Sequence, residues 1–202
     1  MMIEDSAEMM ALASSRGVKL ARHAGLHLLI WLVAFGLFAA ADSWLTLTGL
    51  GLASFLCVIT GIIAGLATTT LIHEWFHFLG ARYTGAVYDI PAKPGLFVFD
   101  WDFSSNGLRQ FYIMSVAGNV GGALGVLLLW SSVPTDTWGR AALLGGGVAG
   151  FIYGAAIEWP VLRRTRVSAD PLAELSKIDQ AVLLRGLVIA VTVGGLVTLM
   201  AV

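Results

Sequence analysis

The chain has 202 residues, of which 57% are hydrophobic and only 12% charged, with a mean hydropathy of +0.82. These values exceed what a soluble domain of this size carries and indicate a polytopic membrane protein. A formal net charge of -1 gives no electrostatic footprint for nucleic acid. The single cysteine, Cys57, lies in an apolar stretch and excludes an internal disulfide.

Residues 1–23 form a mixed, weakly amphipathic segment in which Glu4, Asp5 and Glu8 precede Arg16, Lys19 and Arg22. They lack the short basic start of a secretory signal, although "LFAAADS" at 37–43 has the small residues of a cleavage site. Residues 24–202 make a single membrane domain with five apolar segments at about 24–41, 50–80, 109–130, 139–160 and 181–201. Each is long enough to cross a bilayer as a helix. The fold class expected is therefore an all-α membrane bundle of about five transmembrane helices.

Two links are long. Residues 82–108 contain Pro91, Pro94 and Gly95, then an alternating "GLFVFDWDF" that predicts a strand or hairpin after the second helix. Residues 161–180 hold Arg163, Arg164 and Arg166, followed by "ADP", where Asp170 and Pro171 predict a helix N-cap and first turn. Eleven of the 12 basic residues fall on one side of this topology and only Arg140 opposes them. This predicts a cytoplasmic N-terminus and an outside C-terminus in a bacterial inner (plasma) membrane. Glycines four apart, such as Gly61 and Gly65 or Gly118 and Gly122, predict close helix packing.

The second apolar segment ends in "TLIHEWFHFLGARYTG", residues 70–85. On a helix His73 and His77 project from one face and can share a metal ion, while Glu74 can reach a bound water. This H-E-x-x-H arrangement combines two ligands with a general base. Ionisable groups at membrane depth mark function by default. The competing reading is an interfacial histidine, with Trp75 as part of an aromatic belt.

"HEWFHFLGARYTG" resembles the active-site helix of the site-2 proteases, which are intramembrane zinc metalloproteases. Phe78, Ala81, Arg82 and Gly85 fall where that family places an apolar residue, a small residue, Arg and Gly. "SVAGNVGGALG" at 115–125 is similar to a later family element, with Asn119 in place of its proline. The resemblance implies a zinc ion (Zn2+) held by His73 and His77, with Glu74 as base. It also implies a membrane-embedded protein substrate. Two departures stand out. Phe76 replaces the glycine usual before the second histidine, where it can crowd the metal. The Leu-Asp-Gly element that gives the family its third ligand is missing.

The third ligand is therefore sought on chemical grounds among acids on the same side. Glu158, just before Pro160 at the expected end of the fourth helix, is the first choice and Asp170 the second. Glu158 can instead pair with Arg163 or Arg164, and Asp170 can serve only as a cap. Asp100 and Asp102 fit a solvated strand edge. His23 and His27 share the four-residue spacing but lack the intervening acid, which favours an interfacial role. Asn119 is either an interhelical hydrogen bond or a substrate contact. Two functions follow from these residues: an intramembrane zinc endopeptidase, or a non-catalytic accessory or scaffold subunit.

Overall fold

The computed structural model describes the backbone of residues 2–202 and the side chains of residues 15–202. Its order is α1 (Met2–Thr48), α2 (Gly51–Tyr83), β1 (Tyr88–Asp89), β2 (Asp100–Trp101), α3 (Leu108–Ser132), α4 (Trp138–Ser168), α5 (Pro171–Leu175) and α6 (Gln180–Ala201). Five helices are long and apolar enough to cross a membrane, the first counted from Ser15. The protein is an integral membrane protein with an all-α bundle and a small hairpin after its second helix.

The elements differ from their expected bounds at three places, in α1, α4 and the hairpin. The helix of α1 continues without a break through position 23 back to Met2. The stretch 37–43 lies inside that helix, with Phe38 and Ala41 buried in the core. Pro160 does not end α4, which runs on to Ser168 and stops at Ala169 in a left-handed conformation. A proline inside a membrane helix is tolerated where neighbouring helices and local adjustments satisfy the freed backbone groups. Within the link 82–108 the strands pair over only two residues on each side, Tyr88 with Trp101 and Asp89 with Asp100.

α2 is the central helix, packed against α1, α3 and α4. Lipid offers no hydrophobic reason for helices to separate from it, so close association depends on backbones approaching over small residues. Gly61 and Gly65 of α2 face the backbone of Gly139 and Leu143 on α4. A methyl group on Gly65 would run into the Leu143 carbonyl oxygen, which is backbone and cannot rotate away. Gly65→Ala is expected to cost stability near the top of the usual range of about 1–3 kcal/mol for overpacking. A fall in the thermal midpoint of the detergent-solubilised protein would register it, and an unchanged midpoint would contradict the seam.

Because α2 and α4 run in the same direction, the basic residues at 82–109 and 161–185 gather at one end of the bundle. The opposite end holds Arg140, which pairs with Asp42 of α1 (2.8 Å) and Asp136 (2.9 Å). At the basic end the hairpin lies over the helices through a chain of aromatic contacts from Phe78 through Tyr88, Phe99 and Trp101 to Phe111. Asp102 closes its turn, accepting hydrogen bonds from the hydroxyls of Ser104 (2.6 Å) and Ser105 (2.7 Å). Those bonds, Ser104 first, hold its carboxyl down at about 2. Asn106 extends the pairing, with its amide bonded to both backbone groups of Val87.

Candidate metal centre

His73 and His77 sit one turn apart on α2, ten and six residues before its end at Tyr83. Their rings face α3 and α4. Gly118 of α3 is what admits the His77 ring, since a methyl group there would overlap the imidazole. Gly154 of α4 lies similarly against the His73 ring. The glycine spacing therefore serves the site as well as the packing.

Three donor atoms meet at one point. Glu158 Oε1 lies 2.9 Å from His73 Nε2 and 3.0 Å from His77 Nε2, and the two nitrogens are 2.9 Å apart. Glu158 thus turns inward from α4 and does not pair with Arg163 or Arg164. Arg164 instead binds Glu174 of α5 at 2.8 Å, and Lys177 binds the same carboxylate at 2.7 Å. These partners, Lys177 first, keep the Glu174 carboxyl below the ordinary carboxylate range.

Outer contacts fix the three groups. His77 Nδ1 lies 2.9 Å from the Met114 carbonyl oxygen, which can only accept, so Nδ1 carries the proton. In the neutral ring Nε2 then offers a lone pair to the cluster. Asn119 donates from Nδ2 to Glu158 Oε2 at 2.6 Å and to the Ser115 carbonyl oxygen at 3.2 Å. Asn119 is an interhelical hydrogen-bond donor, one of the two roles its sequence position allowed. Such backing of ligands by a carbonyl and an amide is the usual support of a metal site.

Glu74 is buried beside the cluster, with a carboxylate oxygen within 4.8 Å of both histidines' ring nitrogens. It makes no hydrogen bond among the described residues, and its carboxylate opens on a cavity of about 420 Å³. His77 and Glu158 share that cavity, whose walls are apolar and aromatic, including Val98, Phe99, Trp101 and Phe111. No known protein family, curated protein or solved structure matches this chain.

The remaining candidates lie elsewhere. Asp170 is exposed at the start of α5 and accepts a hydrogen bond from Ala173 N at 3.0 Å, the cap its position predicts. Asp100 lies exposed on β2. Phe76 packs over Gly121 and lines a different groove, so it does not crowd the cluster.

His23 and His27 are buried inside the bundle, 0% and 3% exposed. His27 accepts from Trp75 Nε1 (3.0 Å), a nitrogen that can only donate. Its Nε2 therefore carries the proton and donates to the Gly95 carbonyl oxygen at 2.9 Å. Through this ring α1 ties α2 to the loop whose Phe97, Val98 and Phe99 border the cavity. No local sequence signal joins His27 to Gly95, 68 residues away. His27→Ala leaves the half-buried Trp75 indole N–H unpaired, at an expected cost of about 1 kcal/mol. Faster proteolysis between 91 and 99 would reveal the loosened loop, and His27→Gln, which retains a donor and an acceptor, should be milder.

Proposed function

We propose that the protein is a zinc-dependent endopeptidase that hydrolyses a peptide bond in or next to a membrane-spanning segment of another protein. The observation that carries the reading is the convergence of His73, His77 and Glu158 beside the free carboxylate of Glu74. With His77 Nδ1 protonated, Nε2 and Glu158 Oε1 face each other as acceptors, and His73 Nε2 can bring at most one proton between them in its neutral form. A cation satisfies all three. Two imidazoles and one carboxylate are a donor set for catalytic zinc, which keeps a fourth position open. Tetrahedral bonds of about 2.0–2.1 Å imply donors about 3.4 Å apart, so the observed triangle of 2.9–3.0 Å needs only a small expansion.

Zinc, when bound, lowers the pKa of its water and polarises a carbonyl group. The chain's own groups complete the chemistry. Glu74 takes the proton of the attacking water and returns it to the leaving amide nitrogen. Met114 and Asn119 hold His77 and Glu158 in place, which limits motion as charge develops. The aromatic walls of the cavity keep bulk water away and suit an apolar segment. A helical substrate has its backbone bonded internally, so the segment must locally unwind before its carbonyl reaches Glu74. The gathering of 11 of the 12 basic residues at the site end supports a cytoplasmic location for that end.

Elemental analysis of protein purified without chelator is expected to give one zinc per chain. Proteoliposomes holding the protein and solubilised membrane proteins should yield new peptide termini by mass spectrometry. Failure to retain or take up zinc would remove the reading. Bound zinc with no new termini would leave a non-catalytic metal protein.

A further inference from the structure

The outer face of α4, turned away from the metal centre, carries Trp159, Arg163 and Arg166 at spacings of four and three, so they form one stripe. Two grooves flank the stripe and share Trp159 and Arg163. One, of about 490 Å³, runs towards α6 and is lined by Ala155, Ala156 and Ile189. The other, of about 240 Å³, runs towards α3 and is lined by Tyr112, Val116 and Leu162, with Arg166 at its end. The Tyr112 hydroxyl is bonded to the Leu162 carbonyl oxygen at 3.1 Å, which ties the wall of the smaller groove.

The charges here are unbalanced. Arg164, between the two arginines in sequence, is neutralised by Glu174. Among the described residues no acid lies within ion-pair distance of Arg163 or Arg166. The three helices that form the grooves contain one acid, Glu158, and it faces the metal centre. Arg185 of α6 stands one turn from Ile189 towards the same end of the bundle.

We propose that this face binds an anionic glycerophospholipid, its phosphate between Arg163 and Arg166 and its two acyl chains in the grooves on either side of Trp159. Paired arginines match a phosphate's oxygens, and basic pockets between membrane helices are suited to anionic head groups. An indole at the same level sits where the bilayer changes from hydrocarbon to head group. The occupant is a lipid because the cationic stripe continues directly into apolar grooves on a bundle surface that lipid must cover.

Native mass spectrometry of the full chain with dioleoyl phosphatidylglycerol and dioleoyl phosphatidylcholine tests it. Wild type is expected to hold the anionic lipid about tenfold more tightly, since each arginine near a head group contributes on the order of a few-fold. Arg163→Gln with Arg166→Gln should bring the two lipids to equal affinity, while Lys93→Gln with Arg109→Gln, two other basic residues at that end, keeps the preference. Trp159→Ala should weaken both lipids alike. The proposal is overturned if the Arg163 and Arg166 pair retains the preference, or if the control pair loses it equally, which would mean diffuse attraction. Displacement of the lipid by equimolar inorganic phosphate would also overturn it, because the grooves would then contribute nothing.

Discussion

Glu74→Gln is expected to slow peptide cleavage by orders of magnitude while leaving both the fold and the zinc content intact. Glutamine has nearly the same volume and stays polar, and Glu74 lies outside the triangle of His73, His77 and Glu158, so neither packing nor ligation is disturbed. What is lost is a group that accepts a proton. Positioned acid–base catalysis contributes about 10²–10⁴-fold, so turnover should fall by that factor with substrate binding retained. Product formation at wild-type rate by a zinc-loaded Glu74→Gln protein would show that this carboxylate is not the base. The same variant is a natural trap, because a bound segment should remain associated with it.

Glu158→Gln is expected to release the metal. The carboxylate is the only charged donor in the triangle, and an amide in its place is a far weaker ligand for a divalent cation. The change also disturbs Asn119, whose Nδ2 donates to Glu158 Oε2 at 2.6 Å. A misoriented amide pair there costs about 1–3 kcal/mol. Zinc per chain should fall well below one and activity with it. Asp170→Asn provides the contrast. Its carboxylate accepts a single backbone bond at the start of α5, so zinc content should stay at the wild-type value and stability should change by less than about 1 kcal/mol. Loss of zinc from Asp170→Asn with retention in Glu158→Gln would reverse the assignment of the third ligand.

The two substitutions separate the parts of the site. If Glu74→Gln keeps zinc and loses cleavage while Glu158→Gln loses both, base and ligand are distinct groups held by different helices. His27→Ala touches neither, and its effect should be confined to the loop over the cavity.

The amino-acid sequence by itself determined everything that depends on local periodicity. Five apolar runs specify five helices, because in lipid each segment must satisfy its own backbone. A four-residue spacing places His73 and His77 on one face wherever α2 packs, with Glu74 beside them. The turn built on Asp102, Ser104, Ser105 and Asn106 is also local, although its side-chain bonds became visible only in the folded hairpin. Pro160 marks the limit of such rules: locally it ends a helix, yet α4 continues through it to Ser168.

Only the tertiary structure decided which acid meets His73 and His77. Glu158 is 85 residues from His73 in the chain, and its sequence neighbours Arg163 and Arg164 were plausible partners. The register of α2 on α4, set by Gly61 and Gly65 against Gly139 and Leu143, turns that carboxylate inward, and Glu174 takes up Arg164. The same packing buries His27 between Trp75 and Gly95 and steers Phe76 onto Gly121. Helix periodicity is a property of consecutive residues, whereas the meeting of side chains from separate helices depends on how closely their backbones approach. Small residues control that approach, and their pairing across helices is not written in either segment alone.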